Sequence, residues 1–283
     1  MVLVYGHAND SNIQLVVAAL HAAGGYYQLL DAAALAQAAL HLQVGPRGIT
    51  GEIVVAGACT ALADIHAVYT RPCKPAQQHA LAIHRQLLEW LDMAPALIVN
   101  RPAVAQRNAS TPWQVQQMGE AGFLVPPMLV TSDAAEARAF RCTHGRVVSR
   151  SMGGSRSIAT GLNDTWLSCR HRLAEWPTHF HAHVPGMDVI VYVVGQQALA
   201  AELGFAAAAP QWVATTLPPA IAAQCVVMSQ GMGLPLSGIH LRLRPNGEYV
   251  CLKVDPIPAF GTLEAESGLP IAVTLAALLV DAK

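Results

Sequence analysis

The stretch SGIHLRLRPNGEYVCLKVD, residues 237–255, constrains the fold more than any other part of the chain. An alternating run, SGIHLRLR, and a mostly apolar run, YVCLKVD, flank P-N-G-E, and the Asn-Gly step supplies the backbone freedom that a tight turn between antiparallel strands requires. The other end of the chain has a different grammar. The run VLVYG is followed by the helix start NDSN, then by apolar-rich IQLVVAALHAAGG, which paired glycines close. A strand, a loop and a helix in that order open α/β domains.

More elements follow the same rules. YYQLLD reads as a strand, and ALHLQVGPRGITGEIVVAG as a hairpin tipped by G-P-R-G. IHAVYTRP is a strand that proline ends. KPAQQHALAIHRQLLEWLDMAP has helical spacing at Leu81, Leu87, Leu88 and Leu91. VNRPAVAQRNASTP, residues 99–112, reads as a polar linker. Beyond it come a helix, a strand, a helix and a strand, the loop GGSRS, the histidine strand, a pair of strands and a helix over 218–232 before the hairpin, and GLPIAVTLAALLVDA forms a last amphipathic helix. The expected domains are 1–99, 100–177 and 178–283.

At 283 residues the chain can bury a large core, and its net charge of −1 gives nucleic acid no electrostatic footing. Only 12% of residues are charged and 53% are hydrophobic, so part of the surface is expected to lie against another subunit. No run is long and apolar enough for a membrane span, and the first residues lack the marks of a signal peptide. The expected location is the cytoplasm, with no membrane partner. The cysteines at 59, 73, 142, 169, 225 and 251 form no C-x-x-C pair, and are expected to be reduced and mostly buried. Lysine occurs only at positions 74, 253 and 283.

From about residue 99 onward the order of motifs resembles ATP-grasp proteins, in the RimK-like and microviridin-type peptide-ligase branch. AGFLVPPMLVTSDAAEARAF, GRVVSRSMGGSRSIA, HVPGMDVIVYVVGQQ and GLPLSGIHLRLRPNGEYVCLKVDPIPAFGTLEAESGLPI carry the likeness in sequence. AVYTRP and VNRP also fit the segment that precedes the ATP-grasp part in this branch. The resemblance implies an α/β chain of α+β subdomains, an ATP-grasp fold with an N-terminal pre-ATP-grasp domain. In an intact member it implies ATP and Mg²⁺ as cofactors and a carboxylate activated as an acyl phosphate for attack by an amine. Such chemistry needs hard oxygen ligands for magnesium and fixed positive charge on the phosphates.

Position by position, this chain departs from that pattern. Thr111 and Arg150 stand where the branch has its two phosphate lysines. His181, Ala182 and His183 replace the Gln, carboxylate and aromatic of the adenine-side strand. Ile190 replaces an arginine, while Asp188 is kept. His240 replaces the metal-binding aspartate of G-I-D-L-R, and Lys253 and Asp255 stand for the glutamate and asparagine of E-V-N-P. Arginine still holds phosphate, with a different geometry. An ammonium does not substitute for a metal ligand: unit charges ~4 Å apart repel by about 4 kcal/mol at an effective dielectric of 20, and the metal's charge is double.

The residues this likeness singles out are Arg150 and Arg242 for catalysis, Arg150, Gly153, Gly154, Ser155, Arg156, His181, Ala182 and His183 for the nucleotide, and Asp255 with His240 for metal. The loop GGSRS is either an anion cradle or a flap with no ligand left. Arg242 either binds a substrate carboxylate or pairs with Glu248 across the hairpin. Glu264 and Glu266 are expected on a solvated turn. His179, His181 and His183 alternate as metal ligands on a strand would, yet neighbours on one face lie roughly 6.5–7 Å apart and three seldom converge on one ion.

The first expectation for function is a degenerate ATP-grasp protein, acting as a binding or scaffolding partner. Its partner would be a second copy or an intact ATP-grasp ligase, and a peptide or amino acid would be its ligand. The alternatives are an active carboxylate–amine ligase, in which His240 and Asp255 hold a softer metal, and a small-molecule or anion binder that hydrolyses nothing.

Overall fold

The computed structural model describes residues 1–46, 48–71, 73–151, 160–161, 178–206 and 209–282. The chain divides into two compact units. The first comprises residues 1–122, 188–240 and 253–283, and the second 123–187 and 241–252.

In the first unit, strands β1 (Val2–Gly6), β2 (Tyr27–Asp31), β6 (Ala67–Thr70) and β7 (Leu97–Val99) form a parallel sheet in the order β2-β1-β6-β7. Every residue of β1 is buried, as a strand covered on both faces requires. Val2 and Val4 face one core with Ile13, Val16 and Leu20 of helix α1 (Ser11–Ala22). Leu3 and Tyr5 face the other, with Ile83, Leu87 and Leu91 of helix α2 (Gln78–Met93). Asp10 caps α1 by accepting from the backbone N–H of Asn12 and Ile13. Between β2 and β6 lies the expected hairpin, β3 (Ala39–Gly45) with β4 (Gly48–Val55), extended by β5 (Ala58–Ala61).

The polar linker at 99–112 proves largely helical, as α3 (Pro102–Asn108) and the start of α4 (Thr111–Glu120). Its prolines sit in first turns, where a missing N–H costs nothing. Buried Asn100 holds this passage down: its Nδ2 donates to the carbonyls of Leu236 (2.6 Å) and Pro256 (2.5 Å), and its Oδ1 accepts from Leu236 N–H (3.3 Å).

A five-stranded sheet runs in the order β14-β13-β12-β15-β16, from β12 (Met187–Val194), β13 (Gln197–Ala206), β14 (Ala209–Thr215), β15 (Leu236–Leu243) and β16 (Tyr249–Asp255). Strands β15 and β16 are the hairpin read from the sequence, and their outer residues, 241–252, belong to the second unit. Helix α6 (Pro219–Gly231) precedes β15, and α7 (Gly261–Ser267) and α8 (Ile271–Asp281) end the chain. No single helix among the described residues is long and apolar enough to cross a membrane. Glu264 and Glu266 lie on α7 rather than on a solvated turn. Glu264 accepts from Ala272 N–H at the start of α8, and Glu266 from Trp212 N–H. A carboxylate is favoured at a helix N-terminus.

In the second unit, β8 (Met128–Thr131), β9 (Val147–Ser151), β10 (Thr160–Gly161) and β11 (Thr178–Ala182) form the antiparallel sheet β10-β9-β11-β8. Helix α5 (Ala134–His144) packs against it through Ala137, over Val147 and Phe180. Of the five cysteines described, all free thiols, only Cys225 and Cys251 are buried; Cys59 and Cys142 are exposed. The expectation of mostly buried thiols therefore does not hold. Cys169 lies outside the described residues.

Candidate functional site

The first unit carries the metal positions. Strand β16 places Lys253 and Asp255 on one face, two residues apart, and the Lys253 ammonium lies 3.7 Å from Asp255 Oδ2. Asp255 Oδ1 accepts from the N–H of Ile257 at 3.0 Å. Both carboxylate oxygens are thus engaged within the chain. The pair is about one-third exposed, so it adds little to stability, of the order of 0–1 kcal/mol. Its significance is positional: a positive charge stands beside the hard oxygen ligand among the positions the resemblance assigns to metal. His240, on β15, offers a nitrogen where magnesium prefers oxygen. Among the described residues no three His, Cys, Asp or Glu side chains gather round one point. These residues do not fit a magnesium ion.

The same edge is braced from the N-terminal sheet. Arg71 follows β6, and its Nη1 donates to the carbonyls of Ile257 (3.2 Å) and Pro258 (2.9 Å), while its Nε lies 3.6 Å from Asp10 Oδ2. Gly238 is required here, because a Cβ would come within 2.9 Å of the Pro258 Cβ. Ile190 is partly buried and packs against the main core. Where the resemblance implies an arginine, this chain has apolar packing. Thr111 is the first residue of α4.

The second unit carries the strand positions. Strand β11 is flanked on both sides, so His179 and His181 are each only 6% exposed. His181 Nδ1 lies 3.1 Å from the Ala182 carbonyl. Arg150 on β9 is the register partner of His179. Gly153, Gly154, Ser155 and Arg156 lie outside the described residues. His183 falls beyond the end of β11, with its N–H bonded to the carbonyl of Arg146. Burial first, then the Arg146 and Arg242 guanidinium groups, hold its imidazole below the ordinary histidine range. His183 is therefore neutral near pH 7, beside two cations.

Arg146 was not singled out in the sequence. It stands before β9, and only the antiparallel register of β9 and β11 brings it to His183. Arg242 does not pair with Glu248 as one reading expected. Its Nη1 donates to Gly186 O at 3.0 Å, and Arg244 takes Glu248 instead, at 3.0 Å. Gly186 belongs to the Pro-Gly turn after His183; at φ +141° a Cβ would lie 2.1 Å from the Leu243 carbonyl oxygen. The turn tolerates no side chain there.

No family model matches the chain, and no curated protein does. Solved structures do. The macrocyclase MdnC of Microcystis aeruginosa, bound with precursor peptide MdnA, superposes with a TM-score of 0.84 at 19% identity, covering 100% of both chains. The ATP-grasp ligase PsnB, complexed with a phosphomimetic variant of its minimal precursor, Mg and ADP, gives 0.81 at 24% identity, over 99% of this chain and 97% of that one. A RimK-domain ATP-grasp protein of Sphaerobacter thermophilus gives 0.64 at 16% identity, over 98% of each. The chain has the ATP-grasp fold.

Proposed function

We propose that this protein binds a peptide on an ATP-grasp scaffold without carrying out magnesium-dependent phosphoryl transfer. The observation that carries the reading is Asp255: one oxygen faces the Lys253 ammonium at 3.7 Å and the other accepts from Ile257 N–H. A divalent ion there would have to displace a covalently tethered cation and would find one carboxylate in return. Ile190, packed into the core where the branch has an arginine, supports the same reading. The peptide ligand is inferred from MdnC and PsnB, which were solved with precursor peptides. The Arg146–His183–Arg242 group offers such a ligand positive charge without a metal. In this reading the protein serves as a binding partner, to a second copy or to an intact ligase.

Fluorescence anisotropy with labelled MdnA-type precursor peptides tests this. Any affinity measured is expected to be the same with and without Mg–ATP, with no ADP formed above the protein-free control. ADP release that depends on peptide and vanishes in Asp255→Ala would overturn the proposal.

A further inference from the structure

The N-terminal parallel sheet has a feature that the peptide-binding reading does not use. In the order β2-β1-β6-β7 the chain passes from β1 to β2 on one side and later returns to β6 on the other, so β1 and β6 flank the switch point. Open parallel sheets bind their ligands in the crevice outside the carboxyl ends of such strands. Three groups converge at that edge of the face covered by α2. Tyr5 is the second-last residue of β1, Cys73 lies in the loop after β6, and His84 lies on α2 beside buried Ile83.

The thiol of Cys73 donates to Tyr5 Oη at 3.3 Å, Tyr5 Oη lies 2.5 Å from His84 Nδ1, and Cys73 Sγ lies 3.9 Å from the same nitrogen. Both His84 and Cys73 are half-buried, close enough to solvent for a small ion to enter. Burial pushes the Cys73 thiol above its ordinary value, the Tyr5 hydrogen bond offsets part of this, and the Asp31 carboxylate at the end of β2 adds to it. Burial also keeps His84 neutral, below its ordinary value. A neutral histidine that accepts the Tyr5 proton at Nδ1 carries its own proton on Nε2, and the lone pair so directed is the one that a metal would take.

We propose that Cys73 Sγ and His84 Nδ1 form a binding site for a thiophilic d10 cation, Cu⁺ or Zn²⁺, with Tyr5 Oη as a neutral third donor. With metal–sulfur and metal–nitrogen bonds of about 2.3 and 2.0 Å, a 3.9 Å separation sets an S–metal–N angle of roughly 130°. That angle is open enough for a third donor, and an ion lying out of the plane of the three atoms stays within bonding reach of Tyr5 Oη. Thiolate with imidazole is a soft donor set, which selects such ions over magnesium. On binding, the thiol proton leaves to solvent and the Tyr5 proton turns away from Nδ1. The cation then offsets the charges of both the thiolate and Asp31. No three His, Cys, Asp or Glu side chains meet here, and the phenol completes the set.

The test is an anaerobic titration of the reduced protein with Cu⁺ and, separately, Zn²⁺, each against a chromophoric chelator. One equivalent of at least one ion is expected to be held, with affinity falling about tenfold or more in Cys73→Ser and His84→Ala and unchanged in Cys142→Ser. Mass spectrometry of the wild-type protein supplies a readout independent of how the variants fold. The bound ion is expected to slow iodoacetamide alkylation of Cys73 at least tenfold and to leave that of exposed Cys142 unchanged. Which ion binds identifies the metal. Equal affinity of wild type and both variants for both ions, or alkylation of Cys73 that neither ion slows, would overturn the proposal.

Discussion

The His240→Asp/Lys253→Glu double variant is expected to bind Mg–ATP at least tenfold more tightly than the wild-type protein, whose own affinity is expected to be no better than about 1 mM. The reasoning is electrostatic. An ammonium ~4 Å from a divalent ion opposes it by about 8 kcal/mol at an effective dielectric of 20, and a carboxylate at that place attracts it instead. Lys253 is about one-third exposed and can swing away, so most of this is screened. Tenfold corresponds to only about 1.4 kcal/mol, a small part of the change. Lys253→Met separates the two contributions, because it removes the opposing charge without adding a ligand. Isothermal titration with Mg–ATP reads all of these. A double variant no better than wild type would mean that His240 and Lys253 do not set the affinity.

The largest effect on stability is expected at Asn100. Asn100→Ala removes the partner of two carbonyls and one N–H at a position only 7% exposed. Each buried backbone group left unpaired costs about 1–3 kcal/mol, so a loss of about 3 kcal/mol or more is expected. Typical total stability is about 5–15 kcal/mol. Asn246 at the hairpin tip also bonds through its side chain, to Glu248, but in solvent, and Asn246→Ala is expected to cost less than about 0.5 kcal/mol. Urea unfolding of both variants checks the contrast. Similar midpoints would show that Asn100 does not hold the linker as described.

Asn100 also marks where sequence reading falls short. The hairpins were legible because their turns, P-N-G-E and G-P-R-G, fix local geometry. Helix α2 was legible from the spacing of its leucines. The segment 99–112 reads as a linker because prolines are commonly breakers, whereas at the first turn of α3 and α4 they start helices.

The candidate site divides along the same line. The substitutions at Ile190, His240, Lys253 and Asp255 could be named from motif order alone. What the side chains do there depends on register. Arg242 lies on β15 and Arg244 just past its end, where the turn brings it to Glu248, and the strand pairing of β9 with β11 brings Arg146 to His183. The Cys73–Tyr5–His84 group draws on three separate segments, at positions with no spacing rule to link them.

Whether a metal ion can lodge at Asp255 in the unaltered protein decides between a peptide-binding scaffold and a magnesium-dependent ligase. Crystals of the wild-type protein soaked with ADP and Mn²⁺, which reports its place by anomalous scattering, give the most direct answer. The predicted result is no anomalous peak at Asp255, with the Lys253 side chain still in place. A manganese ion coordinated by the Asp255 carboxylate and by ADP, with Lys253 turned aside, would contradict it.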